Sequence, residues 1–307
     1  IGASVSGVTF VSVPGMVLNS DMTYIQMCLG FIPGYIAVAF VLLPIYYKLN
    51  LTSIYTYLDT RFGQVSYKTG ASFFLLSKLT GAAVRLYLVC LILQEYVFDQ
   101  YGIPYIVTVI GTLVLIWLYT RNSGIKALVW TDTLQTACFI ITVVLILTNA
   151  VRLLDMNMAQ ALTAVWQDSH SRLFEFSDWA SKPYFWKQFL AGVFVLIATT
   201  GLDQDMMQRT LSCKNYRDSQ KNIVVGAVVQ MIVIYLFLLL GYLLYTYAAQ
   251  SGISLEGLKG DDVFPAIATG GYFPMMVGII FVVGFIAAGN AAAGSVDLVA
   301  GSYPYGT

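Results

Sequence analysis

Residues 222–249 read NIVVGAVVQMIVIYLFLLLGYLLYTYAA and contain no charged residue. An α-helix needs about 20 mostly apolar residues to cross the hydrocarbon core of a bilayer. Because a backbone in lipid must satisfy its own hydrogen bonds, an apolar run of this length predicts a membrane-spanning helix. This segment alone places the chain in a membrane.

Similar apolar runs extend along the whole chain. The composition agrees with them, since 58% of the residues are hydrophobic and only 10% are charged, against about 25% charged in a soluble domain. We therefore predict an all-α polytopic membrane protein, located in a cell membrane with the lipid bilayer as a partner. The predicted spans are 1–17, 23–48, 69–98, 103–120, 127–150, 184–202, 222–249 and 270–301.

The remaining composition excludes several other classes of protein. Formal net charge is zero, so nothing favours nucleic acid as a partner. His170 lacks ligand neighbours and the cysteines lack metal-ligand spacing, which argues against a zinc site or a disulfide framework. A membrane enzyme would need a catalytic constellation in the membrane, such as paired acids or a His/Cys dyad, but Asp132 stands alone and His170 lies in the outer loop.

Lysine and arginine are distributed unequally between alternate loops. Cytoplasmic loops carry an excess of these residues, so the basic set is predicted to face the cytoplasm, with the loop at 151–183 outside. The basic set consists of Lys48, Arg61, Lys68, Arg121, Lys126, Arg209, Lys214, Arg217 and Lys221.

The first span is rich in small and hydroxyl residues, from Gly2 to Thr9, and Pro14-Gly15 follows. We expect Gly7 and Pro14-Gly15 to interrupt the helix. A broken helix frees backbone carbonyls that could hold a small hard cation, with hydroxyls beside them for a polar solute. Alternatively, small residues here allow close helix packing.

Asp132 lies in the first turns of the fifth span, and Gln135 shares its helix face. A carboxylate at this depth suggests an ion route. The alternative is an acid that the helix dipole stabilises at a helix start.

The third span contains two cations seven residues apart, Lys78 and Arg85. Lys78 can extend toward the cytoplasmic interface. Arg85 lies deeper and needs an acidic partner, water or a substrate carboxylate, which a guanidinium binds with two hydrogen bonds. A structural partner for Arg85 is the alternative.

The segment Gly201–Thr210 collects charged and amide residues at the cytoplasmic end of the sixth span. Such charges normally form an interfacial network that holds neighbouring helix ends. We favour that structural role over contact with a substrate.

These motifs together resemble the sodium:solute symporter family. Three ordered segments carry the resemblance over roughly 1–290: Ser6-Gly7-Val8-Thr9-Phe10 with Pro14-Gly15, Trp130-Thr131-Asp132 with Gln135, and Gly201-Leu202-Asp203-Gln204 with Gln208-Arg209-Thr210. The resemblance implies an inverted-repeat fold of five plus five helices, with helices one and six broken centrally. We then expect a single transporter domain over 1–307 that is truncated at both ends and holds core helices one to eight.

The resemblance also implies a set of binding residues. Sodium would be held by backbone carbonyls of Gly2 and Val5, with Ala288 and Ser295 of helix eight, while Asp132 matches a carboxylate of sodium release or of a second sodium. The sialic-acid branch of the family implies a solute site formed by Ser4, Ser6, Thr9, Gln26 and Arg85.

One departure concerns helix eight. Ala291 and Ala292 occupy the places of two hydroxyl ligands of sodium, and only Ser295 and Asn290 remain nearby. Methyl groups cannot ligate sodium. Either the sodium site is degenerate, or the sequence after Ala288 is misread, engineered or out of frame. We favour the second interpretation.

The sequence thus predicts sodium-coupled symport of a small organic solute by alternating access, with a carboxylated sugar such as sialic acid as a candidate. A sensor domain of a signalling protein, with little transport, is the alternative.

Overall fold

A computed structural model describes residues 7–49, 51, 54–120, 124–168, 171–211, 213, 215–253, 260–269, 278–279 and 281. Within these ranges the regular structure is helical and contains no strand. The prediction of an all-α protein is therefore confirmed.

The helices are numbered here in chain order. A π-helical turn at Gln94–Phe98 extends α4, and two others, Val38–Leu42 and Ile197–Gly201, lie within α2 and at the end of α8. The described helices are α1 (Gly7–Ser20), α2 (Tyr24–Lys48), α3 (Ile54–Phe62), α4 (Gln64–Leu93), α5 (Tyr105–Thr120), α6 (Gly124–Leu153), α7 (Met158–Gln167), α8 (Phe185–Gly201), α9 (Gln204–Leu211), α10 (Tyr216–Gln250) and α11 (Gly260–Thr269).

Four of the described segments are long and apolar enough to cross a membrane: α2, α4, α10 and the stretch Thr136–Leu153 of α6. Shorter apolar helices occupy Tyr105–Leu115 and Phe185–Gly201. The protein is therefore a multi-pass membrane protein, as predicted. Most of the predicted span 270–301 lies outside the described residues.

The predicted interruption of the first helix at Pro14-Gly15 is wrong. Helix α1 runs from Gly7 to Ser20 and contains Pro14. A Cβ atom on Gly15 would lie 2.0 Å from the carbonyl oxygen of Gly260, and one on Gly241 would lie 2.4 Å from that of Pro14. The small residues therefore allow close packing of α1 against α10 and α11, and the helix tolerates the one hydrogen bond that Pro14 cannot donate.

The chain forms two compact units. Unit 1 comprises residues 1–24, 83–173 and 233–294, and unit 2 comprises 25–82, 174–232 and 295–307. Helices α4 and α10 contribute one part to each unit.

An aromatic cluster lies at the core of unit 1. The ring of Phe10 is fully buried and stacks on Phe139 with the ring centroids 4.4 Å apart. Phe237, Phe264 and Phe281 surround it, with centroids 5.5, 5.1 and 5.7 Å away. Because such rings bury a large apolar area and contact each other edge-to-face or stacked, they hold α1, α6, α10 and α11 together.

Helices α2 and α8 make a close contact in unit 2. A Cβ atom on Gly30 would lie 2.0 Å from the carbonyl oxygen of Phe189, and one on Gly192 would lie 2.1 Å from that of Met27. Glycine at both positions lets the two backbones touch, which is how membrane helices commonly pack.

Candidate functional site

Most of the predicted sodium and solute residues lie outside the described part of the chain. This holds for Gly2, Ser4, Val5, Ser6, Ala288, Ala291, Ala292 and Ser295. Asp132 belongs to helix α6, but its side chain and that of Gln135 are not among the described ones. Their roles stay predictions.

Two predicted solute residues lie in unit 1, on different helices. Thr9 occupies α1, where it is half-buried and directly precedes the fully buried Phe10. Arg85 occupies the part of α4 that belongs to this unit and is also half-buried.

Gln26 lies in the first turn of α2, in unit 2, and is completely buried. Its Nε2 donates to the carbonyl of Pro183 at 2.8 Å, and its Oε1 accepts the N–H of Glu175 at 3.0 Å. A backbone hydrogen bond closes the same loop, since the Phe185 N–H donates to the carbonyl of Glu175 at 2.8 Å. Gln26 thus binds the backbone that leads into α8.

The joint between α8 and α9, defined here as residues Gly201–Gln204, forms an ion pair with α4. Lys78 Nζ lies 2.6 Å from Asp203 Oδ2, and the two side chains are 13% and 19% exposed. Asp203 Oδ1 also accepts the N–H of Met206 at 3.2 Å and so caps the N-terminus of α9. Asp203 thus tethers this segment to the middle of α4, while the choice of a structural role over contact with a substrate stays a prediction.

That the Lys78 side chain extends toward the cytoplasmic interface stays a prediction. Its ammonium group contacts Asp203 and lies 5.6 Å from the ring centroid of Phe74, one turn earlier on α4. The carboxylate offers a charge-assisted hydrogen bond, which compensates the ammonium for the water that it loses.

Two further bonds connect the joint to other helices. Tyr46 of α2 donates its hydroxyl to the carbonyl of Gly201 at 3.2 Å, and the N–H of Ile54, at the start of α3, donates to Gln204 Oε1 at 3.3 Å. Burial, and secondarily the charge of Asp203, raises the pKa of the nearby Tyr55 phenol to about 12. The phenol is therefore neutral at any physiological pH.

The partners of these side chains were missed by sequence reasoning. Gln26 lies 149 and 157 positions from its two loop partners, and Ile54 lies 150 positions from Gln204. No local pattern signals contacts at such separations. Within the described ranges, no group of three or more His, Cys, Asp and Glu side chains could hold a metal ion.

Comparison with known proteins decides the family. The family model described as "Sodium:solute symporter family" matches residues 1–289. The chain belongs to the sodium:solute symporter family. The match ends one residue after Ala288, where the resemblance of the sequence also ends.

Individual relatives in this symporter family are distant. The human sodium/iodide cotransporter is 26% identical over 224 residues, which cover 73% of this chain and 34% of the cotransporter. The zebrafish sodium-coupled monocarboxylate transporter 2 is 24% identical over 96% of this chain and 47% of its own length. The sodium/sialic acid symporter of Proteus mirabilis is 24% identical over 98% and 60%. The chain thus spans between a third and three-fifths of the length of these relatives.

A solved structure of a Na⁺-coupled sialic acid symporter, substrate-bound and outward-open, has the same fold. The TM-score is 0.83 at 22% sequence identity, over 96% of this chain and 61% of that structure. The predicted fold class is confirmed by this likeness, while the inverted repeat stays a prediction.

Proposed function

We propose that this symporter-family chain forms the core of a sodium-coupled secondary active transporter for a small organic anion. The observation that carries the proposal is the family match over residues 1–289, joined by a shared fold with a TM-score of 0.83. Transport, rather than catalysis, is the activity that this membership supports.

The chemistry of the named relatives favours an anion as the solute. Iodide, monocarboxylates and sialic acid are the solutes in the names of three of them, and all three are anions at neutral pH. Arg85 supplies a cation on α4 that could bind a carboxylate with two hydrogen bonds. A carboxylated sugar such as sialic acid is the candidate with which we would start.

In this proposal the sodium ion binds between the first and the eighth predicted spans, 1–17 and 270–301. The ligands are the carbonyls of Gly2 and Val5 with groups of Ala288 and Ser295, and sodium leaves past Asp132. A sodium ion that moves inward down about 100 mV contributes about 2.3 kcal/mol from the membrane potential alone. This energy, added to that of the sodium gradient, would support accumulation of the solute.

The solute would contact hydroxyls of Ser4, Ser6 and Thr9, together with Gln26 and Arg85. In the described state, Gln26 Oε1 and one Nε2 hydrogen are engaged by the backbone of Glu175 and Pro183. An amide nitrogen carries two hydrogens. A solute oxygen would thus accept a hydrogen bond from the second Nε2 hydrogen, or the solute would displace the loop backbone from Gln26.

The proposal is tested by uptake of radiolabelled sialic acid into proteoliposomes that contain the product of the complete gene. An inward sodium gradient should drive uptake, and potassium in its place should not. Equal uptake with either cation would reject sodium coupling. Absence of uptake, with the protein folded and inserted, would reject sialic acid as the solute.

The role of Arg85 has its own test. Replacing Arg85 by Ala should abolish uptake of a carboxylated solute but spare a neutral analogue, and Arg85→Lys should restore only part of the loss because one ammonium cannot form a two-pronged contact. Arg61→Ala is the matched control, since Arg61 is exposed on α3. Equal loss for both solutes in a folded protein would reject the carboxylate role.

A further inference from the structure

The joint Gly201–Gln204 binds three other helices through adjacent positions. Tyr46 of α2 bonds to Gly201, Lys78 of α4 pairs with Asp203, and the N–H of Ile54 at the start of α3 bonds to Gln204. All of these residues belong to unit 2. The joint thus contacts the end of α2, the start of α3 and the middle of α4.

The backbone of the joint is suited to bending. Helix α8 ends in the π-helical turn Ile197–Gly201, and α9 starts only at Gln204. π turns often occur at functional positions, and hinges are commonly a few residues at the ends of elements that absorb changes in φ and ψ. A change of angle between α8 and α9 would therefore be concentrated at Leu202 and Asp203.

The contacts that join these helices are polar, and they lie beside apolar packing, since Tyr46 is 2% exposed and Gly201 lies against Val38 and Leu42 of α2. Lys78 and Asp203 form an ion pair with side chains that are 13% and 19% exposed, and hydrogen bonds join Tyr46 to Gly201 and Ile54 to Gln204. Separation loses the attraction of the charges but returns water to both, which offsets part of the cost. Water therefore lowers the free energy that separation of the pair costs.

The location of the joint follows from the charge of its neighbours. Tyr46 lies two residues before Lys48, and Arg61 lies on the same short helix as Ile54. Both cations belong to the basic set that marks the cytoplasmic side. The joint therefore lies at the cytoplasmic end of unit 2.

We propose that the Lys78–Asp203 pair is an inner gate, which is closed in the described state and separates when sodium and solute leave to the cytoplasm. This inference rests on the proposed function, since a gate serves transport. It assigns a role in the transport step to two residues that otherwise serve only as a tether.

The test measures access to Cys213, which lies just after α9 and is half-buried. The other cysteines are first replaced by Ser, and an impermeant maleimide is applied to the cytoplasmic face of inside-out vesicles. Asp203→Asn and Lys78→Met should each raise the alkylation rate of Cys213 several-fold, because either change removes the attraction that keeps the joint closed. Lys68→Met, an exposed lysine earlier on α4, is the matched control and should leave the rate unchanged.

Two further variants separate a gate from a merely structural tether. The exchange Lys78→Asp with Asp203→Lys, and the conservative pair Lys78→Arg with Asp203→Glu, should both return the rate toward that of the wild type. A tether would instead lower the yield of folded protein and leave the rate per folded molecule unchanged. That result would overturn the inference. Double variants whose alkylation rate is the same as that of the single variants would overturn it as well.

The alkylation assay is independent of transport. If the wild type transports no solute but the Lys78 and Asp203 variants change the alkylation rate as expected, the proposed function is refuted and the two-state joint stands. Sodium-driven uptake that remains at wild-type maximal rate in folded Asp203→Asn would refute the gate and keep the proposed function.

Discussion

The aromatic cluster around Phe10 and the joint Gly201–Gln204 hold helices together by different means. Phe10 is fully buried among four other rings, with centroids 4.4 to 5.7 Å away. The described contacts of the joint include an ion pair and hydrogen bonds instead. Interlocked rings cannot part without opening a cavity, whereas charges and carbonyls can exchange one partner for water. The cluster is therefore suited to permanent contact and the joint to a contact that opens.

The ion pairs of the two units differ in the same way. In unit 1 Arg172 lies 3.1 Å from Asp21, but the arginine side chain is 48% exposed, whereas both partners of Lys78–Asp203 are mostly buried. Exposed pairs contribute little to stability, and a buried charge that loses its partner is costly. A change at the Lys78–Asp203 pair should therefore alter stability more than a change at Arg172–Asp21.

The largest expected effect comes from the aromatic cluster. Phe10→Ala should lower the free energy of unfolding by about 3–5 kcal/mol, since it removes a large buried ring and leaves a cavity. Denaturant unfolding in detergent measures the loss. Phe73→Ala is the control, because this ring is 69% exposed on α4. If both variants lose the same stability, the cluster is not the core that we describe.

A smaller effect is expected where the α2 and α8 backbones touch. Gly30→Ala should cost about 1–3 kcal/mol, because the new methyl group meets the carbonyl oxygen of Phe189 at 2.0 Å. At Gly226, in the middle of α10, an added Cβ meets nothing within 4 Å. Gly226→Ala should therefore stabilise the helix, by at most about 1 kcal/mol. Thermal unfolding of the two variants should shift in opposite directions, and shifts of the same sign would contradict the described packing.

Removing one hydrogen bond of the joint should separate stability from opening. Tyr46→Phe deletes the bond to the carbonyl of Gly201 and should cost only about 0.5–1.5 kcal/mol. The alkylation rate of Cys213 should nevertheless rise measurably. Tyr57→Phe, which alters a tyrosine on α3, is the control. A stability loss as large as that of Phe10→Ala, with no change in alkylation, would show that the joint is packed like the core.

The smallest effect concerns Tyr55, whose pKa is raised to about 12 in the folded chain, first by burial and then by Asp203. The folded pKa exceeds the usual value of about 10. The folded state therefore keeps the proton longer, and the contribution to stability is complete below pH 10 and lost between pH 10 and 12. Because Tyr55→Phe cannot ionise, the unfolding midpoint of the wild type should fall relative to that of Tyr55→Phe as the pH rises through this range. A constant difference would contradict the raised pKa.

Sequence reasoning predicted the features that depend on local pattern. The apolar runs of α2 and α10 are uninterrupted by charge, and Asp203 is a carboxylate at a helix end, so membrane helices and a tether were predictable. The partner of Asp203 was not, because Lys78 lies far away in sequence. The predicted break at Pro14-Gly15 failed for the same reason, since Gly241 and Gly260, against which this segment packs, cannot be identified from its own composition.

Sodium coupling is the claim on which the rest depends, and accumulation against a gradient tests it most directly. Proteoliposomes with the product of the complete gene would be given radiolabelled sialic acid and an inward sodium gradient, with or without a sodium ionophore. The account predicts an internal concentration above the external one, which collapses when the ionophore dissipates the gradient. Solute that enters only to equal concentrations, with no response to the ionophore, would contradict it.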